Sequence, residues 1–317
     1  MMPTMRALWL GMLLLLAAQG ARAQIELKAR PVADGVWFFQ GAAALGSAAN
    51  RNFISNAGFV VTREGVLVVD ALGSPALARA ALAEIRRITP LPLRLVVLTH
   101  YHADHIYGLQ VFKEAGARIV AHGDARQYPN SDTAQSRLQA SRSELAPWVD
   151  ADTRLVEADQ WVGAGDTKLR LGDDEIVLRS VGPAHTPEDL VVWLPQRGVM
   201  FAGDLFFRGR VPFVGQADSR LWIRSLEGLI SAGPHVVVPG HGPLSHEPLA
   251  DLQLTRDYLL HLRAAMGEAA RNLEPFEEAY ARTDWSRFEA LPLFKAANRI
   301  NAYNTYLLME QEASRGR

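Results

Sequence analysis

The chain has 317 residues, 49% hydrophobic and 21% charged, with a formal net charge of -1. That is enough to bury a sizeable core in one large domain or two small ones, and without a basic block it excludes nucleic acid as an expected partner, since phosphate binding needs clustered Lys and Arg. It has no cysteine, which excludes a lipobox, a disulfide framework, a thiol nucleophile and any Cys-containing zinc site.

Residues 1–23 read as a signal peptide. Arg6 supplies the positive start, Ala7 to Ala18 an apolar run, and Ala21-Arg22-Ala23 a small-x-small cleavage site before Gln24. The run is shorter than the roughly 20 residues a span needs. We therefore expect a periplasmic or secreted protein with no membrane span after cleavage, an uncleaved anchor being the alternative. Cleavage removes two arginines and no acid, taking the net charge from -1 to -3.

Gly41 to Asn56 is small and polar, the composition of a mobile flap. Residues 58–70, GFVVTREGVLVVD, read as two strands joined by a turn at Glu64-Gly65. Ala76 to Ile88 reads as a helix closed by Thr89-Pro90. Leu93 to Thr99 is a continuous apolar strand, expected to be buried on both faces. A helix over Asp104–Ala115 and a strand over Ala117–Ala121 follow. Gly123 to Gly165 is polar and reads as helix and loop.

Strands are then expected near Lys168–Leu171, Glu175–Val181, Leu190–Leu194 and Gly198–Ala202. A helix at Asp218–Ser231 and a strand at His235–Val238 complete the alternation. This order predicts an α/β fold, with sheets covered by helices on the outside. From Pro248 onward the pattern is helical. The expected organisation is a domain over 24–246 and a helical extension over 247–317 packed on it.

The chemistry concentrates in Thr99-His100-Tyr101-His102-Ala103-Asp104-His105, where three of nine histidines fall within six residues. In extended chain His100 and His102 point to the same side, and the following helical turn carries Asp104 and His105. Such a bend can aim four ligands at one small volume. Imidazole with carboxylate suits zinc, and also iron or manganese.

This segment resembles the signature of the metallo-β-lactamase superfamily, His-x-His-x-Asp-His after a strand. Four further pieces follow the family's order. They are the Asp closing Val66-Leu67-Val68-Val69-Asp70, the His in Gly182-Pro183-Ala184-His185-Thr186, the Asp in Phe201-Ala202-Gly203-Asp204, and the His in Pro239-Gly240-His241-Gly242. Alone, His185 reads as a loop residue, Asp204 as a helix cap and His241 as a turn residue. Their joint order is what distinguishes them.

The resemblance implies a four-layer αββα sandwich with the site at one edge. It implies a zinc ion held by His100, His102 and His185, a second held by Asp104, His105 and His241, and Asp204 bridging both. Asp70 would support the metal loop without being a ligand. His122, His235, His246 and His261 match no position and read as structural or exposed.

The implied activity is a metal-dependent hydrolase of small-molecule substrates. A hydroxide bridging the metals would attack an ester, thioester, lactone or amide carbonyl, and Asp104 would orient it and protonate the leaving group. Asp at position 204, where many family β-lactamases carry Cys, weighs against a class B β-lactamase without removing that alternative. Two others stay open: an iron oxygenase of the persulfide dioxygenase type, using His100, His185 and Asp204, and a non-catalytic periplasmic redox partner.

Leu190-Val191-Val192-Trp193-Leu194 and Arg208-Gly209-Arg210-Val211-Pro212-Phe213 are similar to exported members associated with sulfur-oxidation and quinoprotein systems. Arg208 and Arg210, close behind Asp204, are candidates for recognising an anionic substrate, with surface charge beside a turn as the plain alternative.

Overall fold

The computed structural model describes residues 25–215 and 217–315. The expected signal peptide and its cleavage site lie outside the described residues. Two sheets carry the fold. The first has seven strands in sequence order: β1 (Arg30–Ala33), β2 (Val36–Phe39), β3 (Ala57–Thr62), β4 (Gly65–Val69), β5 (Leu93–Val97), β6 (Arg118–His122) and β7 (Gln160–Val162). Pairing is antiparallel from β1 to β4 and parallel from β4 to β7. The second sheet runs β12-β11-β10-β9-β8, from β8 (Asp166–Leu171), β9 (Asp174–Ser180), β10 (Leu190–Leu194), β11 (Val199–Phe201) and β12 (Val236–Val238).

The strands' period of two sorts side chains into layers. In β4, Leu67 and Val69 face the core between the sheets, while Val66 and Val68 face the outer helices. Val36, Phe38, Val60 and Val97 of the first sheet meet Leu178, Val192 and Phe201 of the second in that central core. Both β4 and the apolar part of β5 are buried on both faces, as the continuous runs predict.

Helices α1 (Pro75–Ile88), α2 (Ala103–Ile106), α3 (Leu109–Glu114) and α4 (Asp132–Glu144) cover the first sheet. Ser74 caps α1 by accepting from the Leu77 amide, with Pro75 in the first turn. Helices α5 (Ser219–Ser231), α6 (Pro248–Asn272), α7 (Phe276–Arg282) and α8 (Phe294–Arg315) cover the second. Trp222 of α5 and Leu259 and Met266 of α6 share one hydrophobic core with Met200 and Val237 of the sheet. The result is the four-layer αββα sandwich, its last layer built largely by the C-terminal helices.

Three local expectations are revised. The helix predicted over Asp104–Ala115 is two, broken at Gly108, whose amide donates to Leu72 O. A Cβ there would overlap the Ala71 carbonyl, so the break lets the chain press against the end of β4. The strand expected to reach Thr99 ends at Val97, because the Thr99 amide leaves the ladder for the Asp70 carboxylate at 2.8 Å. Strands β1 and β2 lie ahead of the expected elements, and β7 falls within the stretch 123–165 read as helix and loop. Among the described residues no helix is long and apolar enough to cross a membrane.

Candidate metal centre

Every chemically marked residue lies at the same edge of the sandwich. His100 and His102 occupy the loop after β5, Asp104 and His105 the single turn of α2, and His185 the loop between β9 and β10. Asp204 follows β11 and His241 follows β12. The two sheets are joined here directly, since the Leu190 amide of β10 donates to Thr99 O at 2.8 Å. The His241 turn fits under Asp204 only because residue 240 is glycine. A Cβ there would overlap Asp204 Oδ1 and the Gly203 carbonyl.

The seven side chains form two groups, His100, His102, His185 and Asp204 in one, and Asp104, His105 and His241 in the other. Within each, one potential ligand atom per residue lies within 4.8 Å of all the rest. Asp204 Oδ2 is 3.8 Å from His100 Nε2, 3.4 Å from His185 Nε2 and 3.3 Å from His241 Nε2. Its Oδ1 is 3.2 Å from His105 Nε2. Asp104 Oδ2 is 3.3 Å from His241 Nε2 and 3.7 Å from His105 Nε2. Asp204 thus touches both groups.

The spacing of these contacts fits the edges of a coordination shell. Ligands about 2.0–2.1 Å from a tetrahedral cation stand about 3.3 Å from one another. His100 Nε2, His105 Nε2 and Asp204 Oδ1 are buried with no aligned hydrogen-bond partner. Atoms like these are costly to bury unless a ligand satisfies them, and three together at a point shared by lone pairs fit a cation. Five imidazoles with two carboxylates form a donor set for zinc, iron or manganese.

A surrounding set of hydrogen bonds turns these nitrogens inward. His105 Nδ1 donates to Asp70 Oδ2 at 2.9 Å. His241 Nδ1 donates to Ile54 O at 2.8 Å. His100 Nδ1 lies 3.0 Å from Thr99 Oγ1, which itself donates to Asp70 Oδ2 at 2.9 Å. Each partner fixes the ring tautomer that leaves Nε2 free as a ligand. Asp70 holds left-handed backbone, φ 61°, which Asp tolerates better than most residues.

Burial and charge explain how the metal-free groups titrate. Burial drives the His100 imidazole well below its usual range and His185 down to about 3. At His105 burial acts the same way, but the Asp204, Asp104 and Asp70 carboxylates outweigh it and hold the ring well above the usual value. Burial would raise Asp204, yet His241 and His105 pull it well below the carboxylate range. Asp189, which braces the His185 loop through Thr186, is pushed up by burial to about 8.

The two candidate arginines part company. Arg208 Nε donates to Asp251 Oδ2 and its Nη1 to Leu244 O, both at 2.6 Å. Its guanidinium therefore ties the loop after β11 to α6. Arg210 is 6% exposed, lies over the Phe207 ring and brings Nη1 within 3.5 Å of His241 Nδ1. Since His241 Nδ1–H already donates to Ile54 O, that approach joins two donors and is no hydrogen bond.

The segment Gly41–Asn56 is not a free flap. Asn56 Nδ2 donates to Pro239 O and Gly242 O, each at 2.8 Å, and its Oδ1 accepts from the Gly41 amide. Ser55 Oγ donates to Asp104 O, and Trp148 Nε1 to Ala48 O. Sequence reasoning missed Ser55, Asn56 and Thr99. Thr99 adjoins the histidine cluster and could have been found there. Asn56 acts on residues more than 180 positions away and carries no local signal.

His122 is buried against Ser180 Oγ, and His261 packs between Trp285 and Phe288. Both are structural, as expected.

Fold and edge together define a metal-binding αββα protein. Residues 50–241 match the family model of the metallo-β-lactamase superfamily, and the chain belongs to that superfamily. It is 26% identical over 235 residues to a linear primary-alkylsulfatase from Pseudomonas sp. (strain ATCC 19151), covering 63% of this chain and 44% of that protein. It is 28% identical over 206 residues to a metallo-β-lactamase type 2 from Bacillus sp. (strain 170), covering 63% and 72%. The chain therefore spans less than half of the alkylsulfatase it matches.

Two solved structures share the fold. A stereoselective inverting sec-alkylsulfatase from Pseudomonas sp. matches 89% of this chain and 50% of its own, with TM-score 0.70 and 16% identity. A metallo-β-lactamase from Pontibacter korlensis matches 74% and 99%, with TM-score 0.58 and 23% identity.

Proposed function

We propose that the protein is an exported hydrolase with two metal ions, zinc first among the candidates. His100, His102 and His185 would hold one, Asp104, His105 and His241 the other, and Asp204 both. The observation carrying this reading is the pair of donor groups sharing Asp204, with unpartnered buried atoms turned toward their centre. Bound there, the cations supply Lewis-acid activation of water and of the substrate's electrophile.

The protein's own groups do the rest. Asp104 is the more open of the two carboxylates, 17% exposed against 4% for Asp204, and His102 beside it is also partly exposed. Substrate approaches on that side. Asp104 orients the attacking water by accepting its hydrogen bond and returns the proton to the leaving group. Asp70, Thr99 and the Ile54 carbonyl hold the imidazoles in register, so little reorganisation is needed on binding.

The bond cleaved is an ester, thioester, lactone or amide in the first reading. The likeness to a linear primary-alkylsulfatase favours a second, a sulfate ester. Elemental analysis of the purified protein, with turnover assays on thioesters, lactones, β-lactams and alkyl sulfates, tests both. Two zinc ions per chain and hydrolysis of one class are the expected result. One iron per chain with sulfur-directed oxygen consumption would replace this reading with the oxygenase. A metal-loaded protein inert to every class would leave the binding-partner role.

A further inference from the structure

The loop that carries Arg210 leaves the sheet edge at the Phe207–His241 bridge, and beyond Arg210 it is held by the C-terminal segment. The Val211 amide donates to Pro292 O at 3.1 Å, just before α8. Asn301 of α8, fully buried, accepts from the Val214 amide at 3.0 Å and donates through Nδ2 to Pro212 O at 2.7 Å. Its side-chain orientation is fixed, because one neighbour needs an acceptor and the other a donor.

Behind Asn301 runs a chain of buried polar groups. Asn301 Nδ2 also donates to Tyr258 Oη of α6 at 3.0 Å. Tyr258 donates to Asn298 Oδ1 at 2.8 Å, and Asn298 Nδ2 to Tyr280 Oη of α7 at 3.1 Å. A satisfied buried network adds little net stability over an apolar filling, but it specifies one arrangement. What it specifies here is the path of residues 211–214.

That path presents an unusual side chain. Arg210 is more than nine-tenths buried, and its one good acceptor is the neighbouring Val211 O, at 3.3 Å from Nε. Among the described residues no carboxylate forms an ion pair with it, although the Asp204 and Asp104 carboxylates of the centre act on it through space, and Nη1 lies 3.5 Å from Nδ1 on the outer side of the His241 ring. A guanidinium offers five N–H groups in a planar fork suited to an oxyanion. With two divalent cations against the Asp104 and Asp204 carboxylates, the locale is cationic and Arg210 adds to it. A buried, underused cation beside a cationic centre calls for an anion.

We propose that Asn301 is a positioning residue for the 211–214 loop, through which the C-terminal helices set how Arg210 meets an anionic group of the substrate beside the metal centre. The proposal rests on the two-metal reading above. It assigns the C-terminal layer a part in substrate recognition and restricts the substrate to one bearing a carboxylate, sulfate or similar oxyanion.

The test is calorimetric titration of inorganic sulfate into the full-length protein with its native metals, and metal content is measured on the same samples. Wild type should bind sulfate, and Arg210→Gln should weaken it at least about tenfold, the scale of a lost charge-assisted pair. Asn301→Ala should weaken it several-fold with metal content unchanged, yet add nothing in the Arg210→Gln background. Tyr258→Phe, which keeps the volume and removes only the hydroxyl, should move binding the same way by less, and it replaces Asn301→Ala if that variant does not fold.

Metal-loaded wild type that fails to bind sulfate overturns the proposal. So does binding untouched by Arg210→Gln, because the cations alone would then hold the anion. An Asn301→Ala loss that persists in the Arg210→Gln background overturns the positioning role. Protein that takes up no metal defeats the two-metal reading instead, a separate outcome.

Discussion

Asp70 and His105 sit 2.9 Å apart, carboxylate oxygen to ring nitrogen, with both side chains at most 4% exposed. The same carboxylate takes the amide and hydroxyl of Thr99, whose Oγ1 meets His100. One aspartate at the end of β4 thus orients a histidine from each candidate metal group. Asp70→Ala should release both rings and lower metal affinity by about 10–100-fold, the usual cost of losing such a partner. Competition with a chelator of known affinity measures it, and an unchanged affinity would remove Asp70 from the support of the site.

Asp204→Ala should be more severe. Among the described residues it removes the only carboxylate in contact with both groups, and it would leave two cations with less negative charge between them. At least one metal should be lost on purification, with turnover falling to background. His261→Ala is the contrast. Its ring packs on Trp285 and Phe288 and belongs to neither donor group, so stability should drop by about 1–3 kcal/mol while metal content holds. Elemental analysis and denaturant unfolding separate the two, and full metal loading in Asp204→Ala would refute the bridging role.

The response to pH should reverse between the metal-free and loaded protein. In the metal-free form the His105 pKa lies above its unfolded value of about 6.5. Its proton therefore stabilises the fold fully below about pH 6.5, and that stabilisation is lost as pH rises through the raised pKa. The neighbouring histidines with depressed values, His100 and His185, are neutral in both states above that point and contribute nothing there. A cation must displace the His105 proton, so metal affinity rises with pH over the same window. Thermal unfolding of chelator-treated and loaded samples should show the gap widening above about pH 6.5. A constant gap would mean that His105 binds no metal.

Arg208→Met isolates the tie between the loop after β11 and α6. The pair with Asp251 is partly exposed, at 30% and 22%, and Ser245 Oγ remains on the same carboxylate oxygen. A loss of about 1 kcal/mol is expected, discounted for solvent screening, with KM for any accepted substrate changed less than by Arg210→Gln. Urea unfolding and steady-state kinetics check it. A KM effect larger for Arg208 than for Arg210 would reverse their assignment.

The amino-acid sequence determined the strands from β3 to β6 and from β8 to β12, because apolar runs and their turns are local signals. It also marked the seven candidate ligands, since His-x-His-x-Asp-His, His185, Asp204 and His241 follow one another in the order of the superfamily they resemble. What only the tertiary structure decided are relationships between distant segments. Asn56 locking the turn around His241, Arg208 turned to Asp251 and Asn301 gripping the loop behind Arg210 all join chain positions 40 to 190 residues apart. A polar side chain in sequence shows that it needs a partner. Only packing, which brings the segment before β3 beside the turn after β12 and α8 beside the loop after β11, shows which one it finds.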